Sequence, residues 1–363
     1  MSAYKYVSLA DLPALLDRLG PAFGKDAQVY APRRENRAVV YRPYDPAQGV
    51  ELAERPTESC KHVVFPRAEE LFRFHKTKDP EASGRERTSL EEPAEPGKAI
   101  VFGALSCDAR GFFAFDPVYD GCGTTGIAKD VYYLKRRQNT LLIVKTCNTA
   151  LATCFCHWVG GSPVAAEGAD ALFTQTGDGL VLWGVSEAGK ALVEALGLKD
   201  AAEAQTKAVE ATHTEVVQSM GGAPALSTSP PSLLKLFDDM DFWKAQSAGC
   251  ISCGACTYLC PTCYCFNITD ESNGISGVRL RSWDTCMSPL FTLEASGHNP
   301  RTGKAQRLRN RVGHKYSYYP TLHGGRFSCS GCGRCIKSCP SSIDIRRIVQ
   351  NAMAGGVKEA PNG

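Results

Sequence analysis

The chain has little imbalance of charge, no long hydrophobic run and no apolar segment at its amino terminus. Its 41 Lys and Arg against 38 Asp and Glu leave a formal net charge of +3. That is too small for composition to imply nucleic acid or an anionic membrane as a partner. No stretch approaches the roughly 20 apolar residues that a bilayer span needs, so none is expected. The opening residues, Met1-Ser-Ala-Tyr-Lys-Tyr-Val-Ser-Leu-Ala-Asp11, lack the apolar core of a signal peptide. Seventeen cysteines in 363 residues is heavy use, but a chain this long is not a small disulfide-knit secreted scaffold. A reducing cytoplasm is the compartment consistent with these features. No serine-type triad is evident, no paired general acid and base is set around Cys263, Cys265 and Cys286, and there is no internal repeat beyond one cysteine pattern.

That pattern occurs twice. Cys250-Ile-Ser-Cys253-Gly-Ala-Cys256-Thr-Tyr-Leu-Cys260-Pro261 and Cys329-Ser-Gly-Cys332-Gly-Arg-Cys335-Ile-Lys-Ser-Cys339-Pro340 both read C-x2-C-x2-C-x3-C-P. In bacterial ferredoxins this spacing wraps three thiolates round one cluster and sends the fourth to the other. It predicts Cys250, Cys253, Cys256 and Cys339 on one [4Fe–4S] cluster, and Cys329, Cys332, Cys335 and Cys260 on a second. The competing reading is two tetrahedral zinc ions. Zinc modules rarely use this cadence, still less twice with a trailing proline.

Nine cysteines lie outside the runs. Cys60 and Cys122 stand alone and are expected to pack as ordinary buried thiols. Ala99–Leu105 and Thr140–Thr146 read as core strands, each delivering a cysteine, Cys107 and Cys147, at its carboxyl end, where α/β sheets place their sites. With Cys154 and Cys156 these four soft ligands suit a third iron–sulfur cluster; core packing is the alternative, and Asp108 is a candidate ligand or hydrogen-bonding neighbour. Cys263, Cys265 and Cys286 are open between cluster neighbours, sulfur shields and ligands of a further centre. Gly121-Cys-Gly-Thr-Thr-Gly126 spells G-x-G-x-x-G, but no evident strand precedes it and no ribose-binding acid follows at the right distance, so coincidence is the better reading.

Elsewhere, Ser8–Leu19 reads as an amphipathic helix, 28–31 and 38–42 as short strands, and 76–98 as an exposed connector. A hairpin is expected over 171–185, helices over 187–196 and 201–220, and a helix at 341–353. The expected fold class is α+β. An N-terminal α/β domain (1–220) with a candidate cluster of its own is joined by a linker (221–231) to a mainly helical, ferredoxin-like dicluster domain (232–363). Residues 232–247 read as a helix leading into Cys250. The basic insert, 266–328, contains Arg301, Lys304, Arg307, Arg309, Arg311 and Lys315 with no acid among them. These cations suit nucleic acid, a solvated face, an acidic partner, or neutralisation of a negatively charged cluster.

Ser106-Cys-Asp108, Thr146-Cys147, Cys154-Phe-Cys156, Cys260-Pro-Thr-Cys-Tyr-Cys265, Trp283-Asp-Thr-Cys286 and Arg307-Leu-Arg-Asn-Arg311 together resemble one dicluster family. It is the iron–sulfur subunit shared by cytoplasmic sulfhydrogenases (the beta subunit) and anaerobic sulfite reductases (the A subunit). The likeness runs from about residue 95 to about 350. It implies a non-catalytic, cytoplasmic electron-transfer subunit of a hetero-oligomer in anaerobic metabolism. Electrons would pass between a flavoprotein partner carrying FAD and NAD(P) and a catalytic subunit of hydrogenase, sulfite reductase or heterodisulfide-reductase type. Two other functions compete with this one: an iron–sulfur enzyme reducing a sulfur compound at Cys263, Cys265 and Cys286, and a zinc-binding interaction module.

Overall fold

The computed structural model describes residues 4–79, 81, 84–121 and 128–356. Cys122 and most of the Gly121–Gly126 motif therefore lie outside the described residues. Among the described residues the strands are β1 Lys5–Ser8, β2 Gln28–Glu35, β3 Ala38–Pro43, β4 Ala68–Lys78, β5 Glu86–Glu91 and β6 Ala99–Leu105. They continue with β7 Thr140–Lys145, β8 Ala171–Thr176, β9 Gly179–Gly184, β10 Lys199–Asp200, β11 Phe266–Ser272 and β12 Ser276–Trp283.

Ala99-Ile-Val-Phe-Gly-Ala-Leu105 has no polar interruption, the mark of a strand covered on both faces, and every residue of β6 is buried. It lies inside an eight-stranded sheet ordered β10-β1-β9-β8-β7-β6-β2-β3. β2, β6, β7 and β8 run parallel to their neighbours in this set. Alternate residues of the strands face opposite sides. Ile100, Phe102, Ile143 and Phe173 pack on one side with Leu12, Leu15, Leu16, Leu19, Leu192 and Leu196. Val101, Leu142 and Val144 pack on the other with Phe112, Phe115, Tyr119, Tyr133 and Phe65. Fully burying such side chains stabilises by roughly 1.5–3 kcal/mol each. Because β6 and β7 pair in parallel from Ala99↔Thr140 to Leu105↔Lys145, Ser106-Cys107 and Thr146-Cys147 emerge at the same edge.

The first helix runs Leu12–Phe23 rather than from Ser8; Ser8 Oγ lies 3.1 Å from the Asp11 amide, where it holds the entering turn. The connector expected over 76–98 contains β5, and the insert contains the hairpin β11–β12. These form a second sheet, β11-β12-β4-β5, in which strands from both halves of the chain pair. Residues 221–231, expected as a linker, include a tight turn at Leu226–Thr228 and the start of a helix, Ser229–Lys235. Pro230 and Pro231 suit a first helical turn, where a missing N–H costs nothing, and Leu226 and Leu233 are buried in the second core. The single helix expected over 232–247 is two, Ser229–Lys235 and Met240–Gln246. The Asp239 carboxylate, capping the Phe242 amide at 3.0 Å, starts the second. That core is built on Phe242, Trp243, Leu308, Val312, Tyr316 and Ile348.

A buried charge network ties the second sheet to the helix Val131–Gln138, which leads into β7. Arg281 on β12 donates its Nε to Glu69 Oε2 on β4 at 2.9 Å and pairs with Asp130. Arg136 also pairs with Glu69. Glu69 is 4% exposed and Arg281 likewise 4%, so deleting one charge strands the others in the interior. Glu69→Gln is expected to lose roughly 3–5 kcal/mol of stability in anaerobic urea titration of the cluster-loaded protein; an unchanged midpoint would show that the network does not hold the second sheet to that helix.

Candidate metal centres

The two cysteine runs fold into the same loop. Ser252 and Gly331, each just before the second cysteine, have φ of 58° and 63°, and Gly254 and Gly333, just after it, have 76° and 73°. Each glycine caps one helical turn, Ala255–Tyr258 or Arg334–Lys337. The Gly254 carbonyl accepts from the amides of Thr257 and Tyr258, as the Gly333 carbonyl does from Ile336 and Lys337. Peptide N–H groups point at the first sulfur of each run: Ser252 N lies 3.4 Å from Cys250 Sγ, and Gly331 N lies 3.4 Å from Cys329 Sγ. Such donors stabilise negative charge on a ligand sulfur and tune its cluster.

Cys250, Cys253 and Cys256 line one largely apolar void together with Cys339 and Cys335. Cys260 lies in electrostatic reach of Cys332 and Cys335, and Cys335 of Cys329. Cys339 thus sits with the first three thiols of the other run, while Cys260 lies between the two sets, in reach of Cys256 as well as of Cys332 and Cys335. Among the described residues no three His, Cys, Asp or Glu groups meet closely enough to hold a single ion; the thiols ring a space instead. That arrangement fits a four-iron cage better than one tetrahedral ion. Burial raises the pKa of Cys256 and Cys335, so without metal these groups stay protonated, and loading a cluster must release protons.

The basic insert turns much of its charge inward. Arg307, Arg311 and Lys315 follow one another at four-residue spacing along the helix Lys304–Gly313 and its extension, and all three are buried. Arg311 Nη2 donates to the Cys256 carbonyl at 3.3 Å, and Arg307 Nη2 reaches Ser252 Oγ at 3.2 Å. Lys304 Nζ donates to the carbonyls of Ala248 at 2.7 Å and Cys250 at 3.1 Å. Lys315 Nζ lies 2.8 Å from Thr262 Oγ1, 2.8 Å from the Ser328 carbonyl and 3.5 Å from Cys260 Sγ. Burial disfavours its charge, but the thiols of Cys260, Cys263 and Cys329 outweigh that and raise its pKa. With these internal partners Arg307, Arg311 and Lys315 face the cysteine loops and not solvent.

Several residues here had no motif to announce them. Lys61 is buried and donates to the Cys263 carbonyl at 2.9 Å, with its Nζ 4.2 Å from the Trp283 ring centre; burial lowers its pKa. Arg334, between Cys332 and Cys335, donates Nη2 to Asp108 Oδ2 at 2.9 Å and Nε to the Pro56 carbonyl at 3.1 Å. Asp108 also accepts from Tyr41 and from the Leu105 amide. It is therefore a hydrogen-bonding partner, and its ligand role falls away because its oxygens are engaged. Arg55 is a further unannounced neighbour: it donates to Cys154 and Cys107. An isolated basic residue outside a cysteine run carries no spacing signal.

Cys107, Cys147, Cys154 and Cys156 come together around one small void, which Gly331 and Cys332 of the second run also line. Cys60 is fully buried in the core. Cys263, Cys265 and Cys286 lie beside the second set: Cys263 hydrogen-bonds with Cys260, and Cys265 with Cys286. The contact with Cys286 lowers the Cys265 pKa to about 7.

Residues 249–343 match the model of the 4Fe-4S dicluster domain family. The chain is also similar to the sulfhydrogenase 2 subunit beta of Pyrococcus furiosus, 28% identical over 334 residues, 90% of this chain and 93% of that protein. No solved structure matches it. No helix among the described residues is long and apolar enough to cross a membrane.

Two outcomes follow from this geometry. Cys260→Ser is expected to disturb the cluster of Cys329, Cys332 and Cys335 more than that of Cys250, Cys253 and Cys256; EPR of the reduced variant losing only the latter signal would contradict the crossed wiring. Lys315→Gln removes a buried cation beside an anionic cluster and is expected to lower one midpoint by roughly 60 mV, the one-electron equivalent of about 1.4 kcal/mol. Potentiometric EPR reads the shift, and an unmoved or raised midpoint counts against it.

Proposed function

We propose, from the place the comparisons support for this chain in the iron–sulfur beta-subunit family, that it relays single electrons within a larger oxidoreductase. The chain is an iron–sulfur electron-transfer subunit. In this reading electrons pass between a partner binding FAD and NAD(P)H and a separate catalytic subunit of hydrogenase, sulfite reductase or heterodisulfide-reductase type, in the cytoplasm.

The placement of Cys339 carries the reading: it shares a void with Cys250, Cys253 and Cys256, as crossed ferredoxin ligation requires. Cys260 lies between the two sets, in reach of Cys332 and Cys335 as well as Cys256, which supports the same wiring. Bound clusters supply one-electron oxidation and reduction. The chain's own residues would hold and orient them: the first-run thiols and Cys339 line one void, the Ser252 and Gly331 amides face ligand sulfurs, and Arg311 lies in electrostatic reach of Cys256, Cys335, Cys263 and Cys260. A fixed cation offsets anionic charge without needing to move when an electron arrives. The first set also reaches the surface. Cys253 is exposed and is flanked by Ile251 at 65% exposure and Tyr258 at 39%, an apolar rim of the kind that marks contact sites.

Anaerobic purification from cells expressing the whole complex is expected to recover this chain with a flavoprotein and a catalytic subunit. NAD(P)H should bleach its visible absorption only when the flavoprotein is present. Turnover of a sulfur compound by the isolated chain with an artificial donor would instead favour a catalytic role, and a colourless protein with stoichiometric zinc would end the relay account.

A further inference from the structure

We propose that Cys107, Cys147, Cys154 and Cys156 hold a third four-iron cluster, adjoining the second set through Cys332, with Arg55 as its counter-cation. The inference rests on the relay reading and extends the path into the first domain.

These thiols arrive from separate parts of the chain. Cys107 follows β6 in the turn Ser106–Ala109, Cys147 follows β7, and Cys154 and Cys156 come from the loop beyond it. Backbone contacts fix them: the Cys147 amide donates to the Pro163 carbonyl at 3.0 Å and the Cys154 amide to Leu151 at 2.8 Å. A structural thiol packs against carbon. These four instead line a common void, and Met220 Sδ lies 3.9 Å from Cys156 Sγ.

Arg55 is the second, independent observation. Its Nη1 donates to Cys154 Sγ at 2.6 Å and its Nη2 to Cys107 Sγ at 3.3 Å, while its Nε is buried without a partner. Neutral core thiols give a guanidinium little reason to sit there, because desolvating it is costly. Four thiolates round an anionic cage do give one.

Third comes the contact with the second run. The Phe155 amide donates to the Gly331 carbonyl at 2.8 Å. A Cβ on Gly331 would stand 2.4 Å from Cys156 Cα, and one on Gly333 would stand 2.1 Å from the Thr153 carbonyl oxygen. The two loops thus touch backbone to backbone. Leu105, Cys107 and Cys332 form one buried contact group, so a ligand of the third site adjoins a ligand of the second. One electron enters the cage from a neighbour and one leaves, its core falling and rising by one unit of charge; no bond breaks.

The full chain, loaded and purified without oxygen, is expected to carry about twelve iron and about twelve acid-labile sulfide, and Cys147→Ala/Cys154→Ala about eight of each, with the EPR signals of the other two clusters retained. A wild-type count near eight, an unchanged count in the double variant, or zinc in place of the third set of irons overturns the proposal. A second variant, Arg55→Gln, keeps all four thiols. It is expected to lower the midpoint of a cluster absent from the double variant more than that of either other cluster, at an unchanged iron count; three unmoved midpoints, or a larger shift in one of the other two, would overturn the assignment. The relay reading fails differently, with twelve irons present and no electron passing to or from the partner subunits.

Discussion

A cage of iron and sulfide held by four thiolates is an anion, and an interior tolerates an anion only beside fixed positive charge. Much of this molecule follows from that constraint. Arg311, Lys315, Lys61 and Arg334 are buried, and each lies in reach of cysteine sulfur. They come from different parts of the chain: Lys61 from a turn before β4, Arg334 from within the second run, and Arg311 and Lys315 from the insert. The long segment between the runs contributes two of these cations, which is why much of its charge points inward.

The same constraint ties the halves of the chain together. Lys61 is held over the Trp283 ring, and Trp283 Nε1 donates to the Phe65 carbonyl at 3.0 Å. β12, which carries Trp283, pairs with β4 from Ser276↔His75 to Ser282↔Ala68, and Arg281 on that strand closes the buried network with Glu69 and Asp130. Arg334 then links the second run to Asp108 at the end of β6. The dicluster region is therefore not a module hung on a linker; strands and buried ion pairs reach across from the first domain at several levels.

Legibility in the sequence followed the range of the interactions. β6, β7, the hairpin β8–β9 and the twin cysteine loops were readable because each is specified locally, by apolar runs, by turn residues or by ligand spacing. The hairpin β11–β12 had its own signal, alternating residues about Ser272-Asn-Gly274, but the domain that contains it reads as mainly helical and ferredoxin-like, and the length of the insert masked the hairpin. β5 could not be read, since every residue in it is exposed and only its pairing with β4 makes it a strand. The convergence of Cys107, Cys147, Cys154 and Cys156 was suggested by strand ends, whereas Arg55 was invisible: its role depends on two sulfurs 52 and 99 residues away.

Electron transfer rewards rigid spacing, and the loop contact at Gly331 and Gly333 shows how spacing is enforced. In the first run the corresponding positions are Ser252 and Gly254. Ser252 keeps a side chain despite its positive φ, because there its hydroxyl meets Arg307 and not a backbone wall. Gly331 faces Cys156 and Phe155 at distances no side chain permits. The two loops share a conformation but not a residue at this point, and the difference traces to what lies outside them. Glycine at 331 is thus favoured by the positive φ of the turn and required by the backbone packed against it. The first run shares the positive φ, which Ser252 adopts, but has no such backbone wall. That asymmetry marks the second run as the side of the dicluster core that faces the first domain, and leaves the first run, with Cys253 exposed, to face outward.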